Sequence, residues 1–187
     1  MNTESDFEHE AGDATPEKHA PNGKRPHRPQ FQPHQHFNRL GRELAMQYLF
    51  ECDLRDSVTE PNTMEDFWEQ AEESGEFTDA RVFRRAKAYA ETLIAHVQAN
   101  DDVITDYLGK FSEKWDVERM SAVDRNIMKV AVAEMLFCGD IPHLVSIDEA
   151  IEISKDFSDE KSGLFINGIL NGIKNEIEKN PAGGKTE

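Results

Sequence analysis

Apolar residues recur at steps of three and four from Phe37 to about Lys179, which is the spacing of one face of an α-helix. No stretch alternates apolar and polar residues as a half-buried strand does, and the Asn-Gly pairs at 167–168 and 171–172 fall inside a helical register. The pattern therefore predicts an all-α fold, a bundle of about seven helices with short links.

Start and stop signals divide this stretch. We expect helices over about 38–53, from 62 or 63, over 78–98, over 101–108, from 121, from 146 and over 159–179. Ser121 with Asp124 resembles a capping box and Ser146 with Glu149 forms a full one. The helix from residue 121 is apolar almost all round, which predicts a central, buried position. The helix from residue 146 is expected to turn Phe157 inward.

The charge is unevenly distributed. Residues 1–17 hold six acids and no Lys or Arg, and residues 18–42 hold six bases and no acid, so residues 43–187 carry the whole net charge of −16. Residues 1–36 have almost no aliphatic side chains to bury. We therefore predict a disordered N-terminal arm over 1–36, acidic and then basic, a helical domain over 37–179 and a disordered tail over 180–187.

Several classes of protein are disfavoured. The chain shows no Gly-rich phosphate loop, dinucleotide fingerprint, metalloprotease motif or nucleophile elbow, so we expect neither catalysis nor a cofactor. The histidines of the arm, such as His34 and His36, are too few and too poorly supported for a metal site. Cys52 and Cys138 read as buried free thiols. With no long apolar run and no secretory signal, a cytoplasmic protein is expected.

Three surfaces remain as candidate binding sites. One of them, Arg39 and Arg42 with Gln47 on the first predicted helix, is a weak signal alone because Arg42 and Gln47 are neither on the same turn nor aligned. The basic segment 18–42 could grip an RNA backbone in a salt-dependent way, or it could merely solubilise the chain. The last predicted helix carries Lys161, Phe165, Gly168 and Gly172 on one flank. Glycine costs a helix about 1 kcal/mol relative to alanine, so the flank indicates close approach of a nucleotide or tight packing inside the bundle. Phe165 could stack on a base.

Two strings carry a family resemblance. The segment SAVDRNIMKVAVAEMLFCGDIPHLVSIDEAIEISKDFSDEKSGLFINGIL, together with GRELAMQYLFECDL near the start, resembles the NusB family in motif order and spacing. The similarity spans about Phe37–Lys179, and over about residues 54–115 it rests on helix count alone. The resemblance implies two helical sub-bundles and binding to boxA-type single-stranded RNA. It also implies a complex with NusE, a small-subunit ribosomal protein, within an antitermination assembly on RNA polymerase that supports ribosomal RNA transcription.

The resemblance also implies site residues. Arg42, Glu43 and Gln47 match the family's R-E-x-x-x-Q, and Phe165 matches its stacking aromatic. The RNA-contacting positions so implied are Arg39, Arg42, Gln47, Phe50, Arg125, Lys129, Lys161, Ser162 and Phe165. Phe50 and Asp124 are the implied partner contacts. Supplementary phosphate contacts are expected at Lys24, Arg25 and Arg28.

The chain departs from the family pattern at several positions. The arginine run before the first helix is thinned to Arg39 and Arg42, Asp148 replaces a common Asn, and Lys161 replaces a common acid. The acidic residues 1–17 are additional, and they could fold onto the basic arm and compete with RNA. The thinned arginines motivate one alternative, a protein–protein module that does not bind RNA. A second alternative, an accessory domain of an rRNA methyltransferase, is disfavoured because no cofactor-binding βαβ unit follows.

Overall fold

Seven helices make up the described part of the chain. The computed structural model describes residues 37–55, 64–74, 77, 79–112 and 120–180. The helices are α1 (Phe37–Arg55), α2 (Met64–Glu73), α3 (Ala80–Ala99), α4 (Asp101–Phe111), α5 (Ala122–Phe137), α6 (His143–Phe157) and α7 (Ser162–Lys179). The predicted all-α fold is therefore confirmed. The predicted arm 1–36 lies outside the described residues, and so does the predicted tail 180–187 apart from residue 180.

Helix α5 is the centre of the fold, as its apolar sequence predicts. It packs against α1, α3, α4, α6 and α7, and its side chains from Ile127 to Met135 are buried with the exception of Lys129. Helices α1 and α3 form one group, onto which α2 packs through Phe67 and Trp68; the ring of Phe67 lies 5.4 Å from that of Tyr48. Helices α4, α6 and α7 form the second group around α5.

Two glycines permit close helix contacts. An ideal Cβ on Gly41 would lie 2.8 Å from Cδ1 of Tyr89, so α1 and α3 could not approach as closely with a larger residue there. An ideal Cβ on Gly172 would lie 2.6 Å from Cδ1 of Phe111, whereas one on Gly168 would meet no atom within 4 Å. Packing inside the bundle therefore explains Gly172 but not Gly168.

Three local predictions are wrong. Helix α4 continues through Gly109 to Phe111. Helix α6 begins at His143, directly after Pro142, so Ser146 lies in its second turn and does not cap it. Phe157, expected inward, ends α6 with 39% of its surface exposed. Ser121 does precede α5, but its side chain makes no capping hydrogen bond.

The thiols behave as predicted. Cys52 is half-buried, Cys138 is buried and both are free. Burial, together with the negative charge of Glu134, raises the pKa of Cys138 to about 11, so this thiol is a poor nucleophile at neutral pH. No helix in the described ranges is long and apolar enough to cross a membrane.

Candidate nucleic-acid interface

A buried carboxylate organises the start of α1. Glu134 of α5 has 0% of its surface exposed, and it accepts hydrogen bonds from Nε of Arg42 at 2.9 and 3.1 Å. The hydroxyls of Tyr89 and Ser146 also donate to it. Burial and the bond to Glu134 raise the pKa of Tyr89 well above its usual range, which keeps it a donor. Four helices, α1, α3, α5 and α6, therefore meet at one carboxylate.

Arg42, for which the family resemblance implies contact with RNA phosphates, is buried among carboxylates. Only 4% of its surface is exposed, and its Nη1 lies 3.4 Å from Glu149 of α6 in addition to the bonds with Glu134. A carboxylate this close to the guanidinium cancels the positive potential that a phosphate would feel. In this structure Arg42 is a counter-ion inside the bundle.

Arg39 is shared among three carboxylates. Its Nε lies 2.6 Å from Glu43 and its Nη2 lies 3.2 Å from Asp156, while its Nη1 is 3.8 Å from Glu149. Burial raises the pKa of the Glu43 carboxyl, and the neighbouring Arg39 opposes that shift. Arg39 therefore ties α1 to α6, and most of its side chain is covered.

The two cations of α5 that were predicted to contact RNA also form ion pairs with carboxylates. Arg125 Nη2 lies 2.7 Å from Asp53 of α1, and Lys129 Nζ lies 2.6 Å from Asp101 of α4. Asn126 donates to the same oxygen of Asp53 at 2.8 Å. The α5 cations therefore connect the two helix groups.

A cleft opens at the start of α7. Its volume is about 650 Å³, and its lining consists of Met120, Ser121, Asp124, Asp159, Glu160, Lys161, Ser162 and Phe165. Phe165 is half-buried in the wall, and Lys161 is exposed with no ion pair to any described residue. The cleft combines an aromatic face with polar groups, an arrangement that suits a flipped-out nucleobase.

Asp124 fixes the shape of this cleft. It is buried, and its carboxylate accepts hydrogen bonds from Ser158, which follows α6, and from Ser162 of α7 at 2.9 Å. The hydroxyl oxygens of Ser158 and Ser162 lie 2.9 Å apart. Because Asp124 and Ser162 satisfy each other inside the fold, both position the cleft rather than offering free groups to a ligand.

The end of α6 lies between the start of α1 and the α7 cleft. Asp156 contacts Arg39, and Ser158, two residues on, contacts Asp124. Side-chain contacts therefore link the first turn of α1 to the wall of the cleft through the end of α6. Gln47 and Phe50 are half-buried further along α1. Lys24, Arg25 and Arg28 lie outside the described residues.

Sequence reasoning missed the carboxylates that neutralise these cations. Arg42 and Glu134 are 92 residues apart, and Arg39 and Asp156 are 117 apart, so no local spacing connects them. The Arg39–Glu43 pair, at i and i+4 on one helix, is the exception. One signal was present: Glu134 is the single acid in the apolar run of α5. A carboxylate in a buried helix requires a partner, since an unpaired charge there is too costly.

Comparison of the sequence with models of protein families decides which family the chain belongs to. A family model described as the NusB family matches residues 39–175. The chain belongs to the NusB family. It is 36% identical over 141 residues to the transcription antitermination protein NusB of Natranaerobius thermophilus, across 75% of this chain and 96% of that protein. It is 39% identical over 139 residues to the NusB of Bacillus thuringiensis strain Al Hakam, across 74% of this chain and 98% of that protein.

Solved NusB structures share the fold. The similarity to T. maritima NusB has a TM-score of 0.62 at 36% identity and covers 74% of this chain and 91% of that one. A chain in the crystal structure of the antitermination factors NusB and NusE in complex with double-stranded RNA gives a TM-score of 0.61 at 25% identity, covering 76% of this chain and 98% of that one. The predicted membership of the NusB family is confirmed.

Proposed function

We propose that this NusB-family chain is a non-catalytic, RNA-binding antitermination factor that acts with a NusE-type ribosomal protein. One observation carries the proposal: the match to the family runs from residue 39 to 175 and includes both helix groups. The related antitermination proteins are matched over nearly their whole length, and one similar chain was solved with NusE and RNA.

The target is a boxA-type single-stranded segment of a nascent ribosomal transcript, bound in the cytoplasm where RNA polymerase works. The α7 cleft supports this assignment. Phe165 offers a ring face for stacking, and Lys161 adds an exposed charge at the rim. The NusE-type partner is expected near Phe50 of α1 and the start of α5 at Asp124, the positions that the family resemblance implies.

A titration tests the proposal. A fluorescent boxA-type RNA and a scrambled RNA of equal length are titrated with the full chain, with and without a NusE-type protein, at two salt concentrations. We expect preference for boxA-type RNA, strengthened by the partner. Equal affinity for both RNAs under every condition would refute sequence-specific binding. Partner binding without any RNA binding would instead support the protein–protein module, which the internal pairing of Arg39 and Arg42 favours.

A further inference from the structure

A second hollow lies beside α7, on the flank away from the cleft. It is a groove of about 600 Å³ between α6 and α7, and its lining residues fall within 151–160 and 163–167. Asp159 and Glu160 line both the groove and the cleft, whereas Phe165 lines only the cleft. The first two turns of α7 therefore form a ridge with a separate hollow on each side.

The ridge and the groove present an uncovered apolar surface. Leu164, which lines the groove, has 81% of its surface exposed, more than any other large apolar side chain in the described ranges. Ile151 of α6 is half-buried in the same lining. Gly168, one turn after Leu164, is exposed, and a Cβ there would meet no atom within 4 Å. Glycine destabilises a helix interior, and what it permits on an exposed face is the close approach of another backbone.

The charge of the groove favours a protein over RNA. Asp159 and Glu160 are exposed and form no ion pair with any residue that the structure describes. Lys155, the one base among the described lining residues, is paired with Glu152. Unpaired carboxylates repel a phosphate backbone and attract Lys or Arg. A symmetric contact with a second copy of the chain would place the same carboxylates close to one another.

We propose that the α6–α7 groove binds a basic amphipathic helix of a protein partner. Leu164 and Ile151 contact the apolar stripe of that helix, and Gly168 lets its backbone approach the ridge. Asp159 and Glu160 pair with bases beside the stripe. A groove between two helices suits an amphipathic helix whose apolar anchors recur at each turn. The surface goes beyond the RNA-binding function proposed above and does not depend on it.

The test uses fluorescent, Ala-rich peptides of about 18 residues, which is about five helical turns. A basic peptide carries Leu on one helical stripe with Lys on both sides. An acidic peptide has Glu in place of every Lys, and a scrambled peptide keeps the basic composition but spreads Leu around the helix. Fluorescence anisotropy with the full chain should show the basic peptide binding at least about tenfold more tightly than the other two. Equal affinity for the basic and scrambled peptides, or no binding of the basic peptide, would refute the proposal.

Substitution of Leu164 tests the apolar contact. Leu164→Gln should weaken binding of the basic peptide by about 10- to 100-fold, as expected for the loss of one buried Leu side chain. Leu144→Gln is the matched control, because Leu144 is 58% exposed but lies at the opposite end of α6 from the groove. It should change binding by less than about twofold. An equal effect of both variants would place the peptide outside the groove.

Substitution of the carboxylates tests the charge. Asp159→Asn together with Glu160→Gln should weaken binding of the basic peptide by about 2- to 30-fold at low salt. Glu69→Gln together with Glu73→Gln changes the net charge equally at exposed positions of α2, and it should have less than about a twofold effect. If both double variants bind equally weakly, net charge rather than the groove attracts the peptide, and the proposal is wrong.

Gly168→Gln distinguishes docking from stability. Glutamine is a better helix former than glycine, so Tm should stay the same or rise. Peptide binding should nevertheless fall by about 5- to 100-fold, because the new side chain holds the partner's backbone away from the ridge. Unchanged peptide affinity would rule out the close approach.

The remaining outcomes identify other occupants of the groove. In the boxA-type titration, Leu164→Gln should keep its RNA affinity within about twofold, since Leu164 does not line the cleft. Equal losses of RNA and peptide affinity would assign the groove to the RNA surface and overturn this inference while leaving the proposed function intact. Self-association in sedimentation that Leu164→Gln abolishes would assign the groove to a second copy, which also overturns it. Peptide binding by a chain that binds no RNA would sink only the proposed function.

Discussion

Replacing Arg42 by Met tests the internal role of this arginine. The substitution keeps an unbranched chain of similar length but leaves Glu134, with 0% of its surface exposed, without its cation. Removing one partner of a buried ion pair costs about 3–5 kcal/mol. Tyr89 and Ser146 still donate to the carboxylate, so we expect the lower end, about 3 kcal/mol.

Thermal unfolding followed by circular dichroism measures this loss. For a chain of this size each kcal/mol moves Tm by about 2–4 °C, so Arg42→Met should lower Tm by roughly 6–12 °C. Arg81→Met, at an exposed position of α3, is the matched control and should change stability by about 0.5 kcal/mol or less.

A double variant identifies the cause. Adding Glu134→Gln to Arg42→Met removes the uncompensated charge. The amide keeps an acceptor oxygen for Tyr89 and offers an NH2 from which the Ser146 hydroxyl can accept, so part of the lost stability should return. A Tm for Arg42→Met within about 2 °C of the unmodified chain would refute the reasoning, because the uncompensated charge should cost more than that. It would then follow that the guanidinium is not a required counter-ion.

Three further predictions concern the cleft, the helix contacts and the acidic segment. Phe165→Ala should weaken RNA binding by about 1–3 kcal/mol with the salt slope retained, since stacking involves no counter-ions; unchanged affinity in the titration would remove the stacking role. Gly172→Ala should destabilise the fold by about 1–3 kcal/mol through its clash with Phe111. Gly168→Ala, at a position with open space, should raise the free energy of unfolding by up to about 1 kcal/mol. Denaturant unfolding that gives both variants the same change in stability would contradict this. Deleting residues 1–17, with six acids and no base, should raise RNA affinity in the same titration, and an unaltered affinity would rule out competition by this segment.

The fold was predictable because helical periodicity is a local property. The predicted helices all appear among the described residues, and the errors fall where a tertiary contact overrides a local signal. Gly109 did not end α4, and the continued helix places Phe111 against Gly172. Ser146 did not cap α6, because the helix starts at His143 and the hydroxyl donates to Glu134 instead.

The sequence indicates which residues are candidates for the site, but it does not indicate which of their charges are neutralised by carboxylates inside the fold. Family membership is confirmed, while the RNA contacts that the resemblance implies at Arg39 and Arg42 stay predictions. Apart from the i,i+4 pair of Arg39 with Glu43, the carboxylates that Arg39 and Arg42 bind through hydrogen bonds lie more than 90 positions away. Periodicity carries no information about such pairs, so their internal use could be seen only in three dimensions.

Side-chain contacts also connect the ends of neighbouring helices. Arg39 donates a hydrogen bond to Asp156. Asp124 accepts one from Ser158 and one from Ser162, at the start of α7. These hydrogen bonds join α1 to α6, the end of α6 to α5, and α5 to α7. The first turn of α1 is therefore connected to the cleft around Phe165 through the end of α6. We expect Arg39, the cation in this series of contacts, to act by keeping the cleft in shape, so its removal should alter stacking affinity more than salt dependence. That difference separates a bracing arginine from one that touches phosphate, even where both losses weaken binding equally at one salt concentration.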